Sequence, residues 1–127
     1  MLSPKSLTTP SFDLLMEICK RLLVICPDKR KESLREKISE SVLMNLMAAG
    51  NWTTELVEFL RFLVDLIIML GASADDKENL EWKKATDLYY DLEFAVVLPQ
   101  FLIEMQEKID RIYQLIALYS EANDINI

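Results

Sequence analysis

The stretch FLRFLVDLIIML, Phe59 to Leu70, is apolar at every position except Arg61 and Asp65. A run this apolar has three places to go: across a bilayer, into the middle of a core, or under a partner. A membrane span needs about 20 residues with few charges. The apolar run from Leu56 to Leu70 is fifteen residues long and carries Glu58, Arg61 and Asp65, so the chain is read as not membrane-spanning. A helix that is apolar nearly all round is a buried one. Burial of one large aliphatic side chain is worth about 1.5–3 kcal/mol, so this helix is expected to carry a major share of the stability. Arg61 and Asp65 are four apart, lie on one face and can pair. They mark the stripe of the helix that meets water or a partner.

The flanking sequence reads as four more helices. The first is expected from Ser11 to Cys26, with Thr9 or Ser11 as cap and Pro10 in its first turn. Phe12, Leu15, Ile18, Leu22 and Ile25 fall on one face, and Pro27 ends it. The second runs from Lys29 to Ala49, with Asp28 as its cap and Leu34, Ile38, Val42 and Leu46 recurring every four residues, Leu43 and Met47 beside them. Gly50 and Asn51 stop it. The third, Thr53 to Leu70, holds the apolar run and closes at Gly71. The fourth starts near Ser73, where Ser73 and Asp76 have a capping-box-like spacing, and runs to Leu98. Pro99 forces a boundary or a kink. The fifth runs from Gln100 to Glu121 with a heptad seam of Leu102, Met105, Ile109, Ile112, Ile116 and Tyr119. Short connections make successive helices antiparallel. Only two glycines and four prolines occur, which argues against turn-rich β folds. The expected fold class is all-α: a compact single-domain bundle of about five helices over residues 1–127, with a buried central third helix. Residues 1–10 are expected to form an N-terminal arm and residues 122–127 a frayed tail.

The chain length suits one domain with one sizeable core. The net charge is −7, which disfavours binding to phosphate backbones or anionic lipid, so no nucleic acid is expected as partner. Charge is unevenly spread. Residues 1–40 hold eight basic and six acidic side chains, whereas residues 41–127 hold six basic and fifteen acidic ones. The basic part centres on KRKESLREK, Lys29 to Lys37, with Lys29, Arg30, Lys31 and Arg35 as candidate contacts. This segment is either a solvated helix face or a docking patch for an acidic partner. Cys19 and Cys26 sit on one helix roughly 10 Å apart at 1.5 Å rise per residue, too far for a disulfide. Reduced cysteines point to an intracellular, cytoplasmic protein, and the N-terminus reads as carrying no secretory signal.

Chemistry-bearing patterns are sparse. There is no histidine, which removes the usual nucleophile–base pairs, the helical-bundle di-iron motif and mixed Cys/His zinc sites. No glycine-rich phosphate loop occurs. Asp75, Asp76, Asp87 and Asp91 read as a helix start and a solvated stripe. No catalytic residue, cofactor or metal site is expected, and no enzyme activity. Two tryptophans remain as candidate contacts. Trp52 follows Gly50-Asn51 at a helix start, where it can staple the next turn. Trp82, between Glu81 and Lys83, either tucks against a neighbouring helix or anchors a partner.

Two family resemblances attach to these residues. LLMEICKRLLVICPDKRKESLREKISESVLMNLMAAGN followed by LVEFLRFLVDLIIMLGASADDKENL, within residues 12–105, resembles the early part of the t-complex protein 11 family in helix order, loop spacing and apolar pattern. That resemblance implies a helical signalling protein without a catalytic site. Of the turn that follows the family's third such helix, only Ala72 and Asp76 match. NWTTELVEF, Asn51 to Phe59, is similar to the first homology motif of Bcl-2-type apoptosis regulators, with Thr53-Thr54 in place of its Gly-Arg. That second resemblance implies a groove that binds an amphipathic helix, in a fold whose viral members lose these motifs.

The expected function is thus a non-enzymatic helical interaction or signalling-adaptor module with a protein partner. The alternative is a Bcl-2-type regulator holding an amphipathic helix in a groove. The fifth helix carries apolar residues beyond its seam, namely Phe101, Ile103, Tyr113, Leu115 and Leu118. Either that wide face packs on two neighbours or a homodimer covers it.

Overall fold

The computed structural model describes the backbone of residues 4–125 and the side chains of residues 10–120. The helices are α1 (Pro4–Ile25), α2 (Asp28–Lys37), α3 (Glu40–Ala48), α4 (Thr54–Leu70), α5 (Asp76–Tyr89) and α6 (Phe94–Ile125). A short 3-10 turn, Ser73–Asp75, precedes α5. Among the described residues there is no strand. Among the described residues the all-α expectation holds, with six helices where about five were expected and several boundaries moved.

The second expected helix is two. Ile38 leaves helical geometry at φ −107°, and Ser39 restarts the chain as the cap of α3, its Oγ accepting from Val42 N at 3.3 Å. The break changes which residues face inward. Leu34, Leu43 and Met47 are buried, while Val42, on the expected four-residue repeat, is exposed. A straight helix would have kept Val42 in line with Leu34; the kink rotates Leu43 into its place.

The first helix starts at Pro4 and carries Pro10 in its interior. Pro4 takes the favourable first position, whereas Pro10, expected in the first turn, lies in the helix interior and forgoes one ladder bond. The arm expected over residues 1–10 is therefore helical from Pro4, with residues 1–3 outside the described residues. The tail expected to fray is helical as far as Ile125, and residues 126–127 lie outside the described residues.

The boundary expected at Pro99 lies upstream. Helix α5 stops at Tyr89 and α6 begins at Phe94, with the Glu93 carbonyl accepting from Val96 and Val97. Pro99 lies in the second turn of α6, and the carbonyl it leaves without a donor belongs to the exposed Ala95, where water can serve instead. The expected capping box at Ser73 does not form: Asp75 precedes α5 without a side-chain cap bond and pairs with Arg111.

Glycine follows both α3 and α4. Gly50 adopts φ +62°, a left-handed conformation that stops α3 at low cost. Gly71 is extended, and a Cβ there would come 3.1 Å from the side-chain nitrogen of buried Asn79. Its bare Cα lets α5 fold back closely on α4.

Helix α4 buries Leu56, Phe59, Leu60, Leu63, Val64, Leu66 and Ile67, as the apolar run demands. It is flanked by α3, α5 and α6, and α1 packs along α6, α3 and α2. The centre is thus shared: α6 contributes Leu98, Phe101, Leu102, Met105, Ile109 and Ile112 to the same core cluster. Cross-helix pairs fix the directions. Arg61 meets Asp87 and Asp65 meets Lys83, so α4 and α5 are antiparallel. Glu78 meets Lys108 and Asp75 meets Arg111, so α5 and α6 are antiparallel too. Among the described residues no helix is long and apolar enough to cross a membrane.

Candidate functional site

The eight candidate residues separate into two groups. Lys29, Arg30, Lys31 and Arg35 stand together on α2, while Trp52, Arg61, Asp65 and Trp82 are engaged inside the fold.

Helix α2 is strongly polar and buries a single side chain, Leu34. One anchoring leucine leaves the rest of its circumference to charge. Lys29, Arg30 and Arg35 are exposed and have no ion partner among the described residues. Lys31 is half-buried and reaches back to Asp28 at 3.4 Å. Lys29, Arg30 and Lys31 occupy the first turn of α2, at the end where the peptide dipoles present positive charge and cations are disfavoured. Beneath them, burial pushes the Cys26 thiol up, and Arg30 and Lys31 draw it back. Cys19 is pushed up to about 12 by burial alone, and both thiols are free and buried. Neither thiol is poised as a nucleophile.

Trp52 locks the turn between α5 and α6. Its Nε1 donates to the Leu92 carbonyl at 2.8 Å. Its ring stands edge-on to Tyr90 and Phe94, with centroids 5.3 and 4.9 Å away. Thr53, its neighbour, caps α4 by accepting from Leu56 N at 3.2 Å. The sequence placed Trp52 at the start of its own helix; the structure has it closing a second one forty residues later.

Arg61 and Asp65 do not pair with each other. Arg61 reaches Asp87 at 3.4 Å and Asp65 reaches Lys83 at 2.7 Å, both across to α5. The four charges surround a cleft of about 170 Å³ floored by Val64 and Thr86. The Asp65 carboxylate, bonded to Lys83, holds its ammonium above the ordinary range. Arg61 also lies over the Tyr90 ring at 5.1 Å. Such half-exposed pairs contribute about 0–1 kcal/mol each, so they set register between α4 and α5 more than they stabilise it.

Trp82 tucks inward, the first of its two readings. Its Nε1 donates to Glu104 Oε1 at 3.0 Å, and the Tyr89 hydroxyl donates to the same oxygen at 2.8 Å. Lys108 lies over the Trp82 ring at 5.4 Å. Burial and the Glu104 carboxylate push the Tyr89 hydroxyl up to about 12, and burial does the same to Tyr90, with Arg61 opposing it. An unfolded tyrosine ionises near 10, so as pH rises the unfolded chain loses these protons first. Stability should therefore be full below about pH 10 and fall between about pH 10 and 12. Urea midpoints measured from about pH 8 to 11.5 should show the fall, and Tyr89→Phe/Tyr90→Phe should flatten it.

The sequence reading missed a groove between α3 and α4. Val42, Leu46, Phe59 and Phe62 line it, Lys37, Glu55 and Glu58 rim it, and its volume is about 210 Å³. Phe59 and Phe62 stack with centroids 6.4 Å apart, and Lys37 lies over Phe62 at 5.2 Å. The signal was present in the spacings Val42/Leu46 and Phe59/Phe62. Read as one helix from Lys29 to Ala49, the sequence turns Val42 and Leu46 inward; the break at Ser39 opens them to the groove. Among the described residues, no three His, Cys, Asp or Glu side chains converge as metal ligands.

No protein-family model, curated protein or solved structure matches the chain.

Proposed function

We propose that the chain is a non-enzymatic helical module that binds an acidic protein partner through the outer face of α2. One observation carries the reading: exposed Lys29 and Arg30 lie unpaired at the helix end where cations are disfavoured, in a chain of net charge −7. Elsewhere Arg21, Arg61, Lys83, Lys108 and Arg111 are engaged in cross-helix pairs, and the first turn of α5 holds a single exposed cation, Lys77, where α2 holds two. Cations kept where they weaken their own helix are explained by what they attract. An acidic partner would neutralise them, and the field would speed encounter. A signalling adaptor of this kind fits the resemblance to the t-complex protein 11 family, and two buried free cysteines fit a reducing, cytoplasmic setting.

The test is charge reversal. Lys29→Glu/Arg30→Glu/Lys31→Glu/Arg35→Glu should abolish partner recovery in a pull-down while changing the thermal midpoint little, because acids suit the first turn of a helix and the loss of Arg35 from the last turn offsets that gain. Unchanged recovery would refute the docking role.

The α3–α4 groove favours a second reading, a Bcl-2-type regulator that holds an amphipathic helix. The apolar floor of Val42, Leu46, Phe59 and Phe62 between Lys37 and the two glutamates suits a helix with one apolar face and charged edges. Titration with labelled death-motif peptides decides this. Saturation below tens of micromolar, about −6 to −7 kcal/mol, supports the groove reading, and no binding there removes it.

A further inference from the structure

Helix α2 holds one hydroxyl among its charges. Ser33 is exposed and follows Lys29, Arg30 and Lys31 by four, three and two residues. Among the described residues, two other serines or threonines have a pair of cations within the four preceding positions, and the structure sets both apart. Thr86 follows Lys83 and Lys84, but it is 2% exposed and its hydroxyl donates to the Lys83 carbonyl at 2.7 Å. Ser39 follows Arg35 and Lys37 with Glu36 between them, and its Oγ caps α3. Ser33 also sits on a helix that opens readily. Helix α2 is ten residues long, buries only Leu34 and packs mainly on α1. Pro27 precedes it, and the break at Ile38-Ser39 follows it. Isolated helices shorter than about 12 residues are marginal, and the cations of the first turn weaken this one further. Elements with few buried contacts are the first to open locally. Once open, Lys29 to Arg35 is an extended segment that an enzyme cleft can take.

We infer that Ser33 is a phosphorylation site for a protein kinase with an acidic substrate groove, and that its phosphate releases the acidic partner from α2. Kinases select substrates by charge pattern, and acids in such a groove would meet Lys29, Arg30 and Lys31. The Ser33 Oγ attacks the γ-phosphorus of ATP. The new O–P bond forms as the bond to the β,γ-bridging oxygen breaks, ADP leaves, and the hydroxyl proton passes to the kinase's carboxylate base. The consequence for docking is electrostatic. Helix α2 has five basic and three acidic side chains, a net of +2. A phosphoserine adds about −1.5 to −2, which brings the helix close to neutral. Residues three and four apart are neighbours on a helix. The phosphate therefore lies beside Lys29, Arg30 and Lys37, and it occupies cations that the partner would otherwise use. The modification site rests on exposure and charge; its effect on the partner rests on the reading of α2 as a docking face.

The test incubates the full chain with Mg-ATP and a purified serine/threonine kinase that reads basic residues before the hydroxyl, and maps the phosphate by mass spectrometry. Phosphate should appear at Ser33 and not at Thr86. Ser33→Ala should lose it, and Arg30→Gln should slow it several-fold. Both substituted residues are exposed, so circular dichroism should stay at wild-type values. No phosphate at Ser33, or equal rates in the wild type and Arg30→Gln, would overturn the site. Labelled poly-glutamate at low salt then stands in for the acidic partner. The unmodified chain should bind it, and the phosphorylated chain should lose that binding. Equal binding by the two forms would overturn the release. No binding by the unmodified chain would remove the docking face and the release together, whereas the phosphate map decides the site alone.

Discussion

Leu63→Ala is expected to lower the unfolding free energy by about 2–5 kcal/mol. Leu63 lies in the middle of α4 and is fully buried, with Leu60, Val64 and Ile67 as buried neighbours on its own helix. Truncation removes three carbon atoms of buried surface and leaves a cavity whose lining loses its dispersion contacts. Helix α4 is held by α3, α5 and α6, so no wall can move in to fill the space without disturbing the other two. A domain of this size has about 5–15 kcal/mol in total, so the loss is a large part of the whole. Urea unfolding should show it as a lower midpoint at unchanged slope. Met69→Ala, on the exposed side of the same helix at 43% exposure, should cost under about 1 kcal/mol. Equal costs at the two positions would mean that α4 is not the central element.

Trp52→Ala should also be costly, at about 2–3 kcal/mol, less than a fully buried tryptophan because the ring is only partly buried. The indole contributes two edge-on aromatic contacts and the hydrogen bond to Leu92. Those contacts hold the start of α4 to the turn that ends α5 and begins α6, so three helices lose a common tie. Trp52→Phe separates the terms. It keeps an aromatic edge and loses the bond to Leu92, and it should cost about 1–2 kcal/mol. A tryptophan that served a partner instead would give the opposite pattern, with unfolding little changed and partner recovery lost. Chemical denaturation of both variants distinguishes the two roles.

These two residues also show how far the sequence could be read. The apolar run from Phe59 to Leu70 announced its own burial, because a helix with only Arg61 and Asp65 to offer water buries most of its circumference. Leu102 through Ile112 announced themselves by spacing. Trp52 did not disclose its target, since Leu92, Tyr90 and Phe94 are brought to it only by the reversal of direction through α5. The break at Ile38-Ser39 was hidden because Leu34, Ile38, Val42 and Leu46 mimic one continuous face. Ser39 as a cap outweighs that repeat once Leu43 and Met47 can be buried instead. Pro99 misdirected the fourth boundary: in the second turn of a helix a proline costs one bond, too little to dictate where the helix begins. Arg61 and Asp65 lay on one face as expected, yet each found a better-placed partner on α5 than on its own helix. The basic segment of α2 is the part of the candidate site that charge alone revealed. The α3–α4 groove was out of reach for the same reason as the break that forms it.

The most direct measurement compares two charge-matched variants in the same partner pull-down. Lys29→Glu/Arg30→Glu acts on the first turn of α2, and Lys77→Glu/Lys84→Glu reverses two exposed lysines of α5. Both change the net charge equally, so general repulsion is common to the pair. Docking through α2 predicts that the first variant loses the partner and the second recovers it at the wild-type level. Equal recovery by both variants, or equal loss, would contradict it.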